Sequence, residues 1–394
     1  MTAAPALRRR RILHVLYRFD IGGLENVIVQ LVNRLPPDRF EHAVMALTEV
    51  TAFRQRVTRD DVEFIAFNKQ PGHAFALYPR IHRFIRTWRP DVVHSCNLAA
   101  LEVTPLAWLA GVPTRVHAEH GWDVSDPVGA NRKNQLIRRV YKHFVNHYVT
   151  VSKDLARYLT GPVGITADKV SLIPNGVDTD AFRPAQGVKE GIAGCPFAAD
   201  QCWLVGTVGR LQTVKNQIAL ARAFVLLMQR HPAARRDMRL LIIGEGPARA
   251  QIETILAQGG VADLAWLPGA REDVAVILRQ LSCFVLPSFA EGTSCTLQEA
   301  MAAALPVVAT AVGGTPDLVQ DGVTGTLIEV DNDGALADAL WHYHANPAVA
   351  AAHGSSGREC IAAGYALDGM VARYAALFNQ TGRDPAERNS AEQN

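Results

Sequence analysis

The sequence predicts an α/β protein built from two doubly wound, Rossmann-like domains facing a central cleft. Three observations carry this expectation. The chain has 394 residues, more than a single hydrophobic core usually serves. Short β-branched apolar runs alternate with amphipathic stretches, which implies parallel sheets covered on both faces. The alternation stops in a Gly-, Pro- and Ala-rich segment, residues 183–201, and then begins again, so this segment reads as a linker.

The first half opens with Arg8, Arg9, Arg10 and Arg11, followed by an apolar run at 12–17 that ends at Arg18. That run is too short for a secretory core segment and reads as a first buried strand. Further strands are expected at 42–47, 91–95, 114–118 and 148–151, with helices at 24–35, 77–88 and 136–144. The second half has strand patterns at 204–208, 239–243, 265–267, 283–286 and 307–310. Helical spacing follows at 216–229, 248–258, 273–280 and 297–303. The first domain is therefore set at 1–185, the second at 202–365, and the polar tail 381–394 is expected to fray.

Composition narrows the class. A hydrophobic content of 48% with 20% charged residues excludes a disordered chain, and no apolar run approaches a membrane-spanning length. The six cysteines form no CxxC pair, and a reducing, cytoplasmic compartment is the simplest inference. Residues 1–185 hold 25 Lys and Arg against 17 Asp and Glu, a net of +8, whereas the remainder holds 15 against 21, a net of −6. The basic half suits an anionic membrane surface. Its cations are not interleaved with aromatics as in nucleic-acid modules, so no nucleic-acid partner is expected.

Four constellations carry chemistry. Asp20-Ile21-Gly22-Gly23-Leu24-Glu25 joins the first strand to a helix, where glycines let a phosphate approach unpaired N–H groups. A plain tight turn explains the same residues. Gly209-Arg210-Leu211 and Lys215-Asn216 leave a strand end with a planar donor fork and a point charge, a set suited to a diphosphate. A solvated basic turn is the bland alternative. Glu291-Gly292-Thr293-Ser294-Cys295-Thr296 runs on to Glu299. On one helix these two glutamates would sit about 80° apart, so Glu291 belongs on a loop and Glu299 in a first helical turn. Thr296 and Glu299 also fit a capping box, which would leave Glu299 with only a backbone partner. His120, after the strand at 114–118 and beside Gly121, stands where open α/β sheets bind ligands, although a lone His is as often structural. Pro174-Asn175-Gly176 reads as a turn, and Gly313-Gly314 would line the cleft. No strand-flanked DxD occurs, Asp123 to Asp126 being a weak lookalike, so no metal site is expected.

In this order the segments resemble the retaining glycosyltransferases of family 4, which adopt the GT-B fold. The resemblance runs through the Gly-Gly loop, the strand-end His, "IPNGVDTDAF", "VGRLQTVKN", "LPSFAEGTSCTLQEAM" and "LPVVATAVGGTPDLVQDGVTG". It is closest to transferases of bacterial exopolysaccharide loci. The family implies a donor that is a UDP- or GDP-linked sugar, a glycan or lipid-linked acceptor, and no cofactor or metal. It implies that Arg210 and Lys215 neutralise the diphosphate, Glu291 touches the hexose, Glu299 the ribose, and His120 the sugar near its reacting carbon. Gly22 and Gly23 would approach the phosphate or the acceptor, and Leu267 to Gly269 the base. Residues 366–380 would form a helix crossing back to the first domain. A location at the inner face of the plasma membrane goes with such an enzyme. Two departures stand out: Thr293-Ser294-Cys295 replaces a common Phe-Gly pair, and Ala304 stands where a glycine often ends the helix. A sugar-nucleotide epimerase and a non-catalytic sugar-nucleotide-binding protein are the rival readings.

Overall fold

The computed structural model describes residues 8–380, apart from 73, 124, 125, 127, 128 and 188. The tail expected to fray, 381–394, lies outside the described residues. Contacts divide the described chain into two compact units, one of residues 8–174 with 368–380, the other of 175–367.

The first unit holds a seven-stranded parallel sheet in the order β3-β2-β1-β4-β5-β6-β7. Its strands are β1 (Arg10–Leu16), β2 (Phe40–Ala46), β3 (Glu63–Ala66), β4 (Val92–Cys96), β5 (Thr114–Glu119), β6 (His147–Thr150) and β7 (Val170–Leu172). Alternate residues of β1 go to opposite faces. Leu13 and Val15 pack with Ala43, Met45, Val93 and helix Tyr78–Trp88. Ile12, His14 and Leu16 point the other way. Helix Leu367–Gln380 buries Met370, Val371, Tyr374, Leu377 and Phe378, a helical stripe, and Phe378 meets the His14 ring edge-on at 6.3 Å. Arg10 donates to the Asn379 carbonyl at 2.9 Å. The last helix thus completes the first unit, as the resemblance implied.

The face under that helix carries three fully buried histidines. His14 Nε2 lies 3.1 Å from His42 Nδ1, and His14 Nδ1 lies 3.1 Å from His94 Nδ1. Burial pushes His14 and His94 well below the ordinary imidazole range and holds His42 at about 3.

The second unit holds a six-stranded parallel sheet, β10-β9-β8-β11-β12-β13. Its strands are β8 (Trp203–Val208), β9 (Met238–Ile243), β10 (Ala265–Gly269), β11 (Cys283–Leu286), β12 (Val307–Thr310) and β13 (Thr326–Ile328). Val205, Leu240, Ile242 and Val285 enter one core, and Leu204, Leu241, Ile243 and Phe284 the other, so helices cover both faces.

Two expectations are corrected. Residues 175–185 belong to the second unit, not the first: Val177 donates to the Tyr365 carbonyl and accepts from the Leu367 amide. The segment 183–201 is no linker either. Ile192 and Ala199 are buried in the second core, and Lys189 Nζ donates to the Gln280 and Leu281 carbonyls. Low periodicity reflects an irregular chain that is nevertheless packed.

The histidine face makes the fold acid-labile. His42 stays neutral in the folded chain down to about pH 3, whereas the unfolded chain takes up a proton near pH 6.5. Stability from this group is complete above pH 6.5 and is lost as pH falls towards 3, by about 2 kcal/mol at pH 5. Thermal unfolding between pH 7.5 and 5 should show this fall, and His42→Leu should flatten it.

Candidate active site

In the second sheet the strand order reverses between β8 and β11, and ligands of open α/β sheets bind at such reversals, outside the carboxyl ends of the strands. The loops leaving β8 and β11 carry Arg210, Lys215 and Glu291. They are drawn together by backbone approaches that admit no Cβ. Gly244 lies against the Gly209 carbonyl, Gly246 against that of Leu211, and Gly313 against that of Glu291. Gly244 has φ +141° and Gly313 φ +51°, conformations that favour glycine. Hydrogen bonds from Leu211 N to Glu245 O (2.8 Å) and Phe289 N to Val214 O (2.8 Å) lock the layer.

Lys215 Nζ donates to Glu291 Oε1 at 2.7 Å, and Ser288 Oγ donates to the same oxygen at 2.6 Å. Glu291 itself is buried. Arg210 leaves the same loop as Lys215 with its side chain exposed, while its carbonyl accepts from Gln217 Nε2 at 3.0 Å. Thr293 and Ser294 are buried ahead of helix Cys295–Ala302, and Ser294 Oγ caps that helix through the Leu297 amide. Its N-terminus therefore opens beside Gly292 and Glu291, where backbone dipoles favour an anion.

The capping-box alternative is not realised. Thr296 lies inside the helix, with Oγ1 3.2 Å from Ser294 Oγ, and Ser294 is the cap. Glu299 accordingly falls one turn beyond the first turn expected for it. It still belongs to the group. Burial pushes the Cys295 thiol up to about 12, and Glu299, Lys215 and Glu291 all act on it electrostatically. Of the four charged residues singled out in the sequence, Lys215 and Glu291 are in direct contact, and Glu299 shares their electrostatic influence on Cys295. Ala304 has φ +59°, the left-handed conformation that costs a Cβ about 1 kcal/mol.

Other expected residues are placed more plainly. Gly209 directly follows β8, its amide donating to the Ile243 carbonyl at 3.0 Å. Leu267 and Gly269 lie on β10, but the Leu267 carbonyl already accepts from Arg249 at 2.7 Å. In the first unit Gly22 precedes helix Gly23–Arg34 in extended conformation, and a Cβ there would meet the Glu25 carboxylate. His120 is buried just past β5, its amide donating to Asn97 Oδ1 at 2.8 Å.

Asn175, read from sequence only as a turn residue, braces the glutamate loop. Its side-chain Nδ2 donates to the Thr293 carbonyl and Cys295 Sγ, and its main-chain carbonyl accepts from Gln298 Nε2 at 2.7 Å. Arg138, on helix Arg132–Tyr141 between exposed cations, is buried. It grips Glu119 with two hydrogen bonds, 2.6 and 3.2 Å, and reaches Asp123 at 3.4 Å. Glu119 is held near 2: Arg138 and His117 outweigh a burial penalty that acts the other way. A buried pair of this kind gave no sequence signal, since its partners are separated by a loop.

A cradle of Arg, Lys, glycine amides and paired glutamates at the strand reversal of a doubly wound sheet suits a sugar-nucleotide enzyme, and the family matches make it a glycosyltransferase. Residues 203–346 match the family model described as glycosyl transferases group 1, and residues 21–181 match that of glycosyltransferase family 4. The chain belongs to glycosyltransferase family 4 and has the GT-B fold. It is 27% identical over 320 residues to a glycosyltransferase of Bacillus subtilis (strain 168) named EpsF, covering 76% of this chain and 79% of that one. It is 29% identical over 385 residues to a D-inositol 3-phosphate glycosyltransferase of Streptomyces scabiei, covering 86% and 83%. Among solved structures, Anabaena HepE in complex with UDP and glucose superposes with a TM-score of 0.79 at 19% identity, covering 94% of this chain and all of that one.

The Glu119–Arg138 pair generates a stability test. Glu119→Gln leaves the buried guanidinium with only the more distant Asp123 carboxylate and should cost about 3 kcal/mol in chemical denaturation. A loss under about 0.5 kcal/mol would contradict the pairing.

Proposed function

We propose that the chain is a metal-independent, retaining hexosyltransferase. Its donor is a UDP- or GDP-linked sugar and its acceptor a glycan or lipid-linked saccharide, in exopolysaccharide or cell-surface polysaccharide assembly. The observation that carries this is Lys215 seated on Glu291 at the reversal of the second sheet, beside Arg210 and a helix N-terminus. HepE, whose structure holds UDP and glucose, and the polysaccharide-type wording of the sequence support the donor and the setting.

In this reading the bond from the anomeric carbon to the diphosphate oxygen breaks and its electron pair goes to the phosphate. Arg210, Lys215 and the amides before Cys295 receive that charge, the largest stabilisation the reaction needs. Glu291 contacts the hexose and also orients Lys215. Glu299 accepts from ribose hydroxyls, and the backbone at Leu267 to Gly269 meets the base. The first unit contributes acceptor-side groups, the Gly22-Gly23 turn and His120. Glu119 and Asp123, its two candidate nucleophiles, both hold Arg138, which favours front-face attack. The acceptor hydroxyl then attacks from the side of the departing phosphate and gives its proton to that phosphate. An epimerase would use the same cradle, but both matched families are transferases.

No helix among the described residues is long and apolar enough to cross a membrane. A peripheral, cytoplasmic-face attachment is proposed instead. Leu136 and Val140 are 59% and 53% exposed on helix Arg132–Tyr141, and Phe144 continues the same line four residues on. Phe144 meets Trp108, itself 55% exposed, edge-on at 5.5 Å. Exposed Arg132, Lys133 and Arg139 flank this stripe, a composition suited to an anionic interface. Arg138 is buried and Ile137 half-buried, so neither belongs to this stripe.

Arg210→Ala should lower kcat by about 100-fold or more while donor binding persists. Near-normal turnover with a verified donor would remove its role. In vesicle co-sedimentation the protein should bind anionic bilayers at low salt and release at high salt. A Trp108→Ser, Leu136→Ser, Val140→Ser variant should stay in the supernatant, and binding indifferent to lipid charge would refute the patch.

A further inference from the structure

The first sheet reverses between β1 and β4, and its edge there holds a cluster that spacing along the chain conceals. His94 and Cys96 stand two apart on β4 and share one face. Cys96 pairs in register with Ala118, and His120 follows Ala118 by two, so it emerges on that face as well. One ligand atom from each of His94, Cys96 and His120 lies within 4.8 Å of the others, and all three residues are buried.

The spacing suits a small tetrahedral ion. Bonds of about 2.0 Å to nitrogen and 2.3 Å to sulfur place nitrogen and sulfur roughly 3.5 Å apart. Cys96 Sγ lies 3.8 Å from His94 Nε2, so this edge is already nearly formed. His120 has farther to come, by about an ångström, from a loop rather than a strand. The other ring nitrogen of His94 rests against His14, and His14 against His42. Such outer partners fix ring orientation. Cys96 Sγ lies 4.0 Å from His94 Nδ1 as well, so the sulfur sits beside the ring, and the imidazole turns to aim Nε2 at a shared ion. Asn97 holds the His120 amide and so sets where its loop begins. Two imidazoles and a thiol, with no carboxylate among them, select zinc-class or softer ions over magnesium or calcium.

We propose that His94, Cys96 and His120 bind one zinc-class cation through three protein ligands, leaving a fourth position open. Binding displaces the Cys96 thiol proton to solvent and converts the sulfur to a thiolate ligand. A further consequence rests on the reading of His120 as a residue of the transfer reaction. An ion that occupies His120 withdraws it, so the site makes the enzyme inhibitable by zinc rather than dependent on it.

Cobalt(II) is the probe, titrated into the full-length, reduced, metal-free protein. One equivalent should produce a thiolate-to-cobalt charge-transfer band in the near ultraviolet together with tetrahedral d–d bands. Cys96→Ala should abolish the charge-transfer band. His120→Ala, a change in a loop, should weaken cobalt binding by at least about tenfold and serves if the cysteine variant does not fold. Absence of the band, its survival in folded Cys96→Ala, or unchanged affinity in folded His120→Ala overturns the site. Zinc should also inhibit transfer, and a chelator should restore it. Inhibition failing while the band is present leaves the site standing and overturns only the role of His120 in transfer.

Discussion

Backbone-to-backbone contact at three glycines sets the geometry of the second unit. Where Gly244, Gly246 and Gly313 press on the carbonyls of Gly209, Leu211 and Glu291, the loops leaving four strands form a single layer. A side chain at any of the three would push a loop outward by the width of a methyl group. The Lys215–Glu291 contact depends on that layer, because the two residues are far apart in sequence and on loops of different strands. The charged cradle is thus a by-product of close packing by residues that have no charge.

The first unit solves a different problem. Its sheet buries His14, His42 and His94, polar groups that a parallel core ordinarily excludes, and satisfies most of their nitrogens through one another. Neutral imidazoles make this tolerable, since burying them charged would be costly. The same row leads along β4 to Cys96 and the end of β5. Near that end Glu119 stays ionised because Arg138 and His117 are buried with it.

Long, strongly alternating segments were legible in the sequence. The five strands expected in each half exist, and residues 283–286 and 307–310 are strands with those bounds. The strands that escaped, β3, β7 and β13, have three or four residues and sit at sheet edges, where half-burial erases the apolar signal. Helices Asp333–Ala345 and Pro347–Gly364 escaped because alanine and glycine give them little periodic contrast. At the candidate site the motif wording picked out Arg210, Lys215, Glu291 and Glu299. What it concealed was three-dimensional: Ser294 rather than Thr296 as the cap, Asn175 as a brace, Arg138 turned inward, and a histidine–cysteine cluster assembled from β4 and the loop after β5. Each depends on register or on a loop's return path, which one-dimensional spacing does not encode.

The last helix has a consequence for the order of assembly. The sheet of the first unit is complete in sequence by Leu172, yet the apolar stripe that covers its histidine face lies between Met370 and Phe378. During synthesis from the N-terminus, the second unit therefore leaves the ribosome in full while the first still exposes His14 and His94. Closure of that face is a late, long-range event between segments from opposite ends of the chain, the kind of contact that slows folding. A nascent or C-terminally shortened chain would present this surface to chaperones and to other chains, whereas the finished protein keeps it covered.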